Sequence, residues 1–248
     1  MFLPERLKSI RPTDRVLEVG PGPKPHPRAS VCLDRRYAND RDYFSQHGES
    51  AETPDHSKTV FYDGGRFPFE DRQFDYVICS HVLEHIPEAE LDLFISELKR
   101  VAGRGYVEFP SVFYDLLNFS GAHLWMMNAR DQLVLLMTRS RFRSNYIHQA
   151  CRELFYGADR YMYRAVRRYP EFFFCGFEWE GHIEHRVVTD YDELFNEDDL
   201  LTARAYLARF RNGGDQAPLR GLRALAAKAA WVARHPLRWA MGRTGAKP

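Results

Sequence analysis

The sequence lacks closely spaced cysteines, long apolar runs and any large excess of charge, and each absence removes a class of function. Its four cysteines, Cys32, Cys79, Cys151 and Cys175, stand far apart. A zinc knuckle or a dithiol redox motif needs a Cys-x-x-Cys pair. Three of the four fall in apolar, strand-like runs, the usual setting of buried free thiols in a reducing cytoplasm. The formal net charge is +1 over 248 residues, so no global field selects nucleic acid or an acidic substrate. No apolar stretch approaches the roughly 20 residues that span a bilayer. The opening MFLPERLKSIRP has no apolar core of a secretory signal. The expectation is a cytoplasmic protein. Repeats and low-complexity tracts are missing too, apart from an Ala/Arg-rich tail. What remains is an ordinary globular composition, long enough to bury a core without staples.

The first part of the chain alternates short apolar runs with polar or helical segments. Val16–Val19 is a candidate strand ending at Gly20, Ser30–Leu33 a second ending at Asp34, and Lys58–Tyr62 a third ending at Asp63. Phe74–Cys79 is a fourth ending at Ser80, and Gly105–Phe109 a fifth. One helix is well marked. Pro87 suits its first position, and Glu88 and Glu90 suit the positive end of its dipole. Leu91, Phe94, Ile95, Leu98 and Val101 then fall on one face. Lys99 and Arg100 sit at the negative end, and Gly103 can serve as the cap. Such alternation implies an α/β fold, a Rossmann-like and mostly parallel sheet with right-handed crossovers. Ligands bind such sheets at the carboxyl ends of the strands, where Gly20, Asp34, Asp63 and Ser80 would lie.

Residues 111–170 interrupt the alternation. A hairpin is expected from Leu124–Met127 and Leu133–Met137, turning near Asn128–Asp131. A long helix from Ser144 would follow, with Ile147, Cys151, Leu154, Ala158, Tyr161 and Ala165 on one face. This insertion would either cover the ligand edge as a substrate cap or add a packing layer. A second hairpin, Phe172–Glu178 and Ile183–Val188, would close the sheet with an antiparallel edge, for seven strands in all. The domain would run over residues 1–190, leaving 191–248 as a helical, basic tail. From Asp215 onward that tail carries Arg220, Arg223, Lys228, Arg234, Arg238, Arg243 and Lys247 against one acid. With Leu219, Leu222, Leu225, Trp231 and Trp239, it reads as a helix for an anionic membrane surface, a solvated helix or a subunit contact.

Chemistry is concentrated in the first half. In Glu18-Val19-Gly20-Pro21-Gly22-Pro23 a strand ends in a glycine turn, which lets backbone approach a ligand closely. A nicotinamide site wants G-x-G-x-x-G, and the third glycine position here is Pro25. An acid at the end of the second strand, Asp34, can accept both hydroxyls of a ribose. The stretch from Phe67 to Pro87, FPFEDRQFDYVICSHVLEHIP, is the most specific feature. It resembles the "LPF…FD.V….VLEH" signature of the type 11 group of class I S-adenosylmethionine-dependent methyltransferases. The resemblance covers roughly residues 14 to 110 and fades afterwards. It implies that the Glu18–Gly22 turn wraps the amino-acid part of S-adenosylmethionine, with Gly20, Pro21 and Gly22 at the turn. It further implies that Asp34 holds the ribose with Arg35 beside it, that Asp63-Gly64 faces the adenine amino group, and that Ser80 and His81 border the cofactor. The product would be S-adenosylhomocysteine.

His81-Val-Leu-Glu84-His85 has two other readings. H-x-x-E-H is the inverted zinc-protease motif, but that motif needs a long helix, and here a strand runs into it and Pro87 follows. Some relatives hold a divalent ion through an E-x-x-E-H set at this place, matched here by His81, Glu84 and His85. Histidine at the first position would turn such a site away from Mg²⁺. The favoured expectation is no metal, with Glu84 and His85 fixing the loop by hydrogen bonds. Methyl transfer itself needs mainly alignment, because the sulfonium is already activated. A base helps when the acceptor is a hydroxyl. His81 and His85 are the candidates, followed by His123, whose His123-Leu-Trp125 resembles an H-x-W feature of some relatives. The expected acceptor is a small molecule, a glycan or a lipid-linked compound, methylated on oxygen. A cofactor-binding module without turnover and a nucleic-acid methyltransferase are the alternatives. No aromatic-basic stripe lies near the expected cleft to favour nucleic acid.

Overall fold

The computed structural model describes residues 1–36, 56–118, 121–141 and 161–212. Its centre is a sheet of six strands in the order β3-β2-β1-β4-β5-β8. These are β1 Val16–Val19, β2 Ala29–Arg35, β3 Thr59–Tyr62, β4 Tyr76–Ser80, β5 Arg104–Pro110 and β8 Phe174–Glu180. The first five run parallel, and β8 pairs antiparallel with β5 from Arg104↔Glu180 to Pro110↔Phe174. All four residues of β1 and all five of β4 are buried, as expected of parallel strands covered on both faces. Sequence order reverses between β1 and β4. That places a crevice at their carboxyl ends.

The expected helix is α1, Glu88–Val101. Leu91, Phe94, Ile95, Leu98 and Val101 are all buried on the sheet, each stabilising by roughly 1.5–3 kcal/mol relative to exposure. Its ends differ from the expectation by one position. Pro87 is the N-cap, and the chain leaves through Ala102 in an extended conformation. Gly103 does not cap the helix. It gives room to the Arg72 guanidinium, which a Cβ there would strike. Glu97, also buried on α1, accepts the Phe67 N–H at 2.7 Å and pairs with Arg100 at 2.6 Å. Arg100 in turn donates to the carbonyls of Phe67 and Phe69, so the loop before β4 is tied to the helix.

The loop between β1 and β2, residues 20–28, contains no helix. Four prolines in it have no N–H to give a helical ladder. The N–H of His26 donates to the buried Glu18 carboxylate at 2.6 Å, which folds the proline run back against β1.

The inserted hairpin is β6 Trp125–Arg130 and β7 Leu133–Thr138. Its turn is Asp131-Gln132, both with positive φ, the two-residue form that matches strand twist. The turn falls later than expected because Asn128 stays extended. Its amide donates to the Leu194 carbonyl at 2.9 Å and to Asp199 at 3.1 Å. The second expected hairpin does not form. After β8 the chain crosses over, and β9, His185–Val187, pairs parallel with β7. Among the described residues the main sheet therefore has six strands, and β6-β7-β9 make a separate one. Alternate side chains explain why it lies where it does. Met127, Val134 and Leu136 enter the main core, while Met126, Leu135 and Met137 face a second cluster with Val188 and Leu194.

Helix α2, Val112–Asn118, follows β5. The helix expected from Ser144 lies largely outside the described residues. Within its expected span the described residues Tyr161–Arg168 form α3, where Ala165 and Val166 pack on Leu3 and Phe174. A further helix, α4 Glu197–Asn212, is tied to β6 by the Arg130–Asp199 ion pair at 2.8 Å. The basic tail from Asp215 lies outside the described residues. Among those described, no helix is long and apolar enough to cross a membrane.

Candidate active site

The crevice at the β1/β4 switch holds a cavity of about 400 Å³. One end is built by the turns after β1, β2 and β3. Gly20 has φ +64, and its N–H donates to the Leu33 carbonyl at 2.8 Å. A Cβ at Gly20 would collide with the Val82 side chain, so the close packing of this turn on the loop after β4 requires glycine. Asp34 lines the same end with Arg35, Tyr62 and Gly64. Its carboxyl is pushed up to about 6 by burial, partly offset by the Arg35 N–H at 2.8 Å.

The other sequence-derived cofactor residues sit back from this wall. Glu18 lies behind the turn, where burial pushes its carboxyl up to about 7 despite the His26 N–H. Pro21 and Gly22 continue the loop away from the cavity. Asp63 is exposed and stands 3.6 Å from Arg36. Ser80 turns inward, and its hydroxyl donates to Glu108 at 3.1 Å.

Beyond β4 the chain changes direction at His81, which has φ +60. A non-glycine residue there is strained and persists only when its surroundings hold it. Two buried acids do so. Glu108 Oε1 lies 3.0 Å from His81 Nε2, and Glu84 Oε1 lies 3.2 Å from Nδ1. Burial opposes the charged ring, but the two carboxylates outweigh it and hold His81 up to about 9. Glu108 collects more than His81. It also accepts the N–H groups of Phe2 and Leu3 at 2.6 and 2.9 Å and the Tyr106 hydroxyl at 2.8 Å. Burial opposes its ionisation, and His81 and the N-terminal donors bring it down to about 2.

His85 ends the short 3-10 turn Leu83–His85. Three contacts lace this turn to the segment entering β6. The Leu124 N–H donates to the Glu84 carbonyl at 2.7 Å, and Trp125 Nε1 donates to the Ile86 carbonyl at 2.7 Å. His85 Nδ1 donates to the Ala122 carbonyl at 3.0 Å. His123 is thereby brought edge-on to His85, with ring centroids 4.9 Å apart. Its Nδ1 is 2.6 Å from the Asp115 carboxylate of α2. Glu84, His85 and His123 all line the cavity. His81 and His85 do not share a helix face, so the protease geometry is absent here.

Contributors not foreseen from the sequence include Phe2, Glu108, Tyr114, Asp115 and Phe174. Phe2 stacks on Phe174 at 3.9 Å and meets His81 edge-on at 5.2 Å. With Tyr114 they form an aromatic wall beside the histidines. Only a buried Glu in an otherwise apolar β5 run hinted at Glu108. Nothing local marks Phe2.

Residues 36–107 match the family described as a methyltransferase domain. No curated protein matches the chain. Among solved structures, the YcgJ protein of Bacillus subtilis is 20% identical over 45% of this chain and 52% of that one, with a TM-score of 0.30. A protein of Pyrococcus horikoshii is 19% identical over 62% and 78%, at 0.33. An S-adenosylmethionine-dependent methyltransferase of Methanosarcina mazei is 13% identical over 50% and 69%, at 0.32. The chain spans about half the length of the Bacillus protein.

Proposed function

We propose that the chain is a class I S-adenosylmethionine-dependent methyltransferase and that it methylates a hydroxyl oxygen of a small-molecule, glycan or lipid-linked acceptor; the match of residues 36–107 to a methyltransferase domain supports this. One observation carries this reading. A single cavity joins a ribose-type acid, Asp34, to a carboxylate–imidazole cluster, Glu84, His85 and His123. Asp34 takes the cofactor ribose, and the Gly20 turn receives its amino-acid part. The acceptor oxygen lies at the cluster, against the aromatic wall of Phe2, Tyr114 and Phe174. Flat apolar faces suit a phenolic ring, the apolar face of a sugar or a prenyl chain.

When bound, with Asp34 and the Gly20 turn holding it, S-adenosylmethionine would supply an activated sulfonium methyl group and would leave as neutral S-adenosylhomocysteine. The acceptor oxygen forms the new O–CH₃ bond with a lone pair, and its proton leaves past the cluster to solvent. The domain supplies alignment and exclusion of water. His81, with both ring nitrogens facing carboxylates, positions the loop and does not take the proton in this scheme. The site lies in a cytoplasmic protein, and the basic, Trp-bearing tail favours an acceptor near an anionic membrane.

Isotope-labelled S-adenosylmethionine, incubated with the full chain and a panel of phenols, sugars, prenyl-linked glycans, amines and RNA, should label hydroxyl acceptors. Label confined to nitrogen or to RNA would overturn the reading. Liposomes containing anionic lipid should pellet the full chain and spare a truncation before Gln216. Equal pelleting would remove the membrane element.

A further inference from the structure

A second cavity, of about 490 Å³, lies beside β8, between that strand, the β6–β7 turn and the start of α4. Its frame is held open from two sides. Arg130 pairs with Asp199 at 2.8 Å, and the Asn128 amide donates to the Leu194 carbonyl at 2.9 Å, so the chain entering α4 is pinned to β6. Arg6 donates to the Gly176 carbonyl at 2.8 Å and fastens the segment before β1 to β8.

Protein interiors are packed like organic crystals, yet three apolar clusters meet here without closing. Phe177 packs against the main core, Phe172 against the cluster of Leu3 and Phe174, and Phe113 and Phe195 against that of Leu135 and Met137. All four rings are half-buried and line the cavity. Phe113 stacks on Phe172 at 4.6 Å and meets Phe195 at 5.1 Å, with planes at 88°. Phe113 and Phe195 thus make a perpendicular corner, and Phe172 extends one side of it.

The charged lining is acidic. Arg130 is neutralised by Asp199. That leaves Arg6 against Asp131, Glu171 and Asp198, three acids that form no ion pair among the described residues. Aromatic faces attract a cation through the ring quadrupole, and aromatic cages hold alkylated ammonium groups in this way. An anion would be repelled by the acids, and a neutral ligand would leave them unused. The cavity has the volume of a small-molecule site but no group suited to chemistry. Burial pushes the Cys175 thiol up to about 12, so it stays protonated and unreactive.

We propose that this cavity is a second binding site, for a small organic ammonium ion whose apolar substituents rest on the phenylalanine corner and whose charge faces Glu171 and Asp198. It is separate from the cavity at the β1/β4 switch, although Phe174 contributes to the walls of both. The inference stands without the methyl-transfer reading.

Benzyltrimethylammonium is titrated into the isotope-labelled full chain and followed by amide chemical shifts, with benzyl alcohol as the neutral control and benzoate as the anionic one. The cation should bind saturably, about tenfold or more tighter than either control. The amides of Ala129, Gly176 and Phe195 should move most. Phe195→Leu keeps apolar bulk but removes the ring face, and should weaken the cation about 2–30-fold. Glu171→Gln combined with Asp198→Asn should weaken it about 2–5-fold and flatten its salt dependence. If Phe195→Leu loosens the fold, seen as shifts throughout the spectrum, the acid pair decides. Absence of saturable binding, equal binding of benzyl alcohol, or shifts centred on Gly20 and His85 of the first cavity would overturn the proposal. So would binding indifferent to loss of the two acids.

Discussion

Glu108→Gln should destabilise the protein by about 3–5 kcal/mol, the usual consequence of removing one partner from a buried charged network. Five donors converge on this carboxylate: the N–H groups of Phe2 and Leu3, the hydroxyls of Ser80 and Tyr106, and His81 Nε2. A glutamine offers one neutral acceptor oxygen in their place, and its amide adds donors where none are wanted. The strained His81 backbone would lose one of its two restraints, and the Phe2 side chain would lose the anchor that holds it on the cavity wall. Urea denaturation of wild type and variant gives the difference directly. A loss below about 1 kcal/mol, the level of a single ordinary hydrogen bond, would show that the network is far weaker than its geometry suggests.

Asp34→Ala should weaken S-adenosylmethionine binding about 100-fold. Two hydrogen bonds from ribose hydroxyls to a charged acceptor contribute about 1.5 kcal/mol each at the low end, and about 2.8 kcal/mol corresponds to a factor of 100. The same carboxylate gives a pH signature. Burial pushes Asp34 up to about 6, so the accepting, ionised form prevails above that pH and is lost below it. Affinity of the wild type should be flat from about pH 7 upward and roughly tenfold weaker near pH 5, one unit below the titration. Asp34→Ala should show no such fall. Calorimetric titration at several pH values checks both. A variant that binds within about threefold of wild type, under about 0.7 kcal/mol, would remove Asp34 from the cofactor site.

The parts of the site that were legible in sequence are the ones made by single strands and their ends. Gly20, Asp34 and Gly64 line the cavity because a parallel strand delivers its last residue to one edge of the sheet, wherever the rest of the chain goes. Helix α1 was legible for a similar reason, since its period of burial is written within its own length. The proline run after Gly20 is held by Glu18, which accepts the His26 N–H. A loop with so few N–H groups is held by side chains, and no local pattern announces which ones.

The second sheet shows the opposite case. Ile183–Val188 alternates like the return strand of a hairpin. The edge beside β8 was nevertheless passed over, and β9 joined β7 in parallel. Local alternation specifies that a strand has two faces but not which edge it joins. That choice is made by the burial available there, here the cluster of Met126, Leu135, Met137, Val188 and Leu194.

The sequence by itself determined the α/β class, the glycine turn, the acid at the end of β2 and the loop that carries His81, Glu84 and His85. Each depends on neighbours in the chain and on the hydrogen-bonding limits of the residues themselves. Tertiary structure alone decided what that loop can do. It placed Glu108 behind His81 and Phe2 across from it, and it carried His123 and Asp115 from a separate hairpin and helix to His85. Chemistry of that kind depends on distances between segments remote in sequence, and these are fixed only when the apolar faces of β6, α2 and the main sheet are buried together.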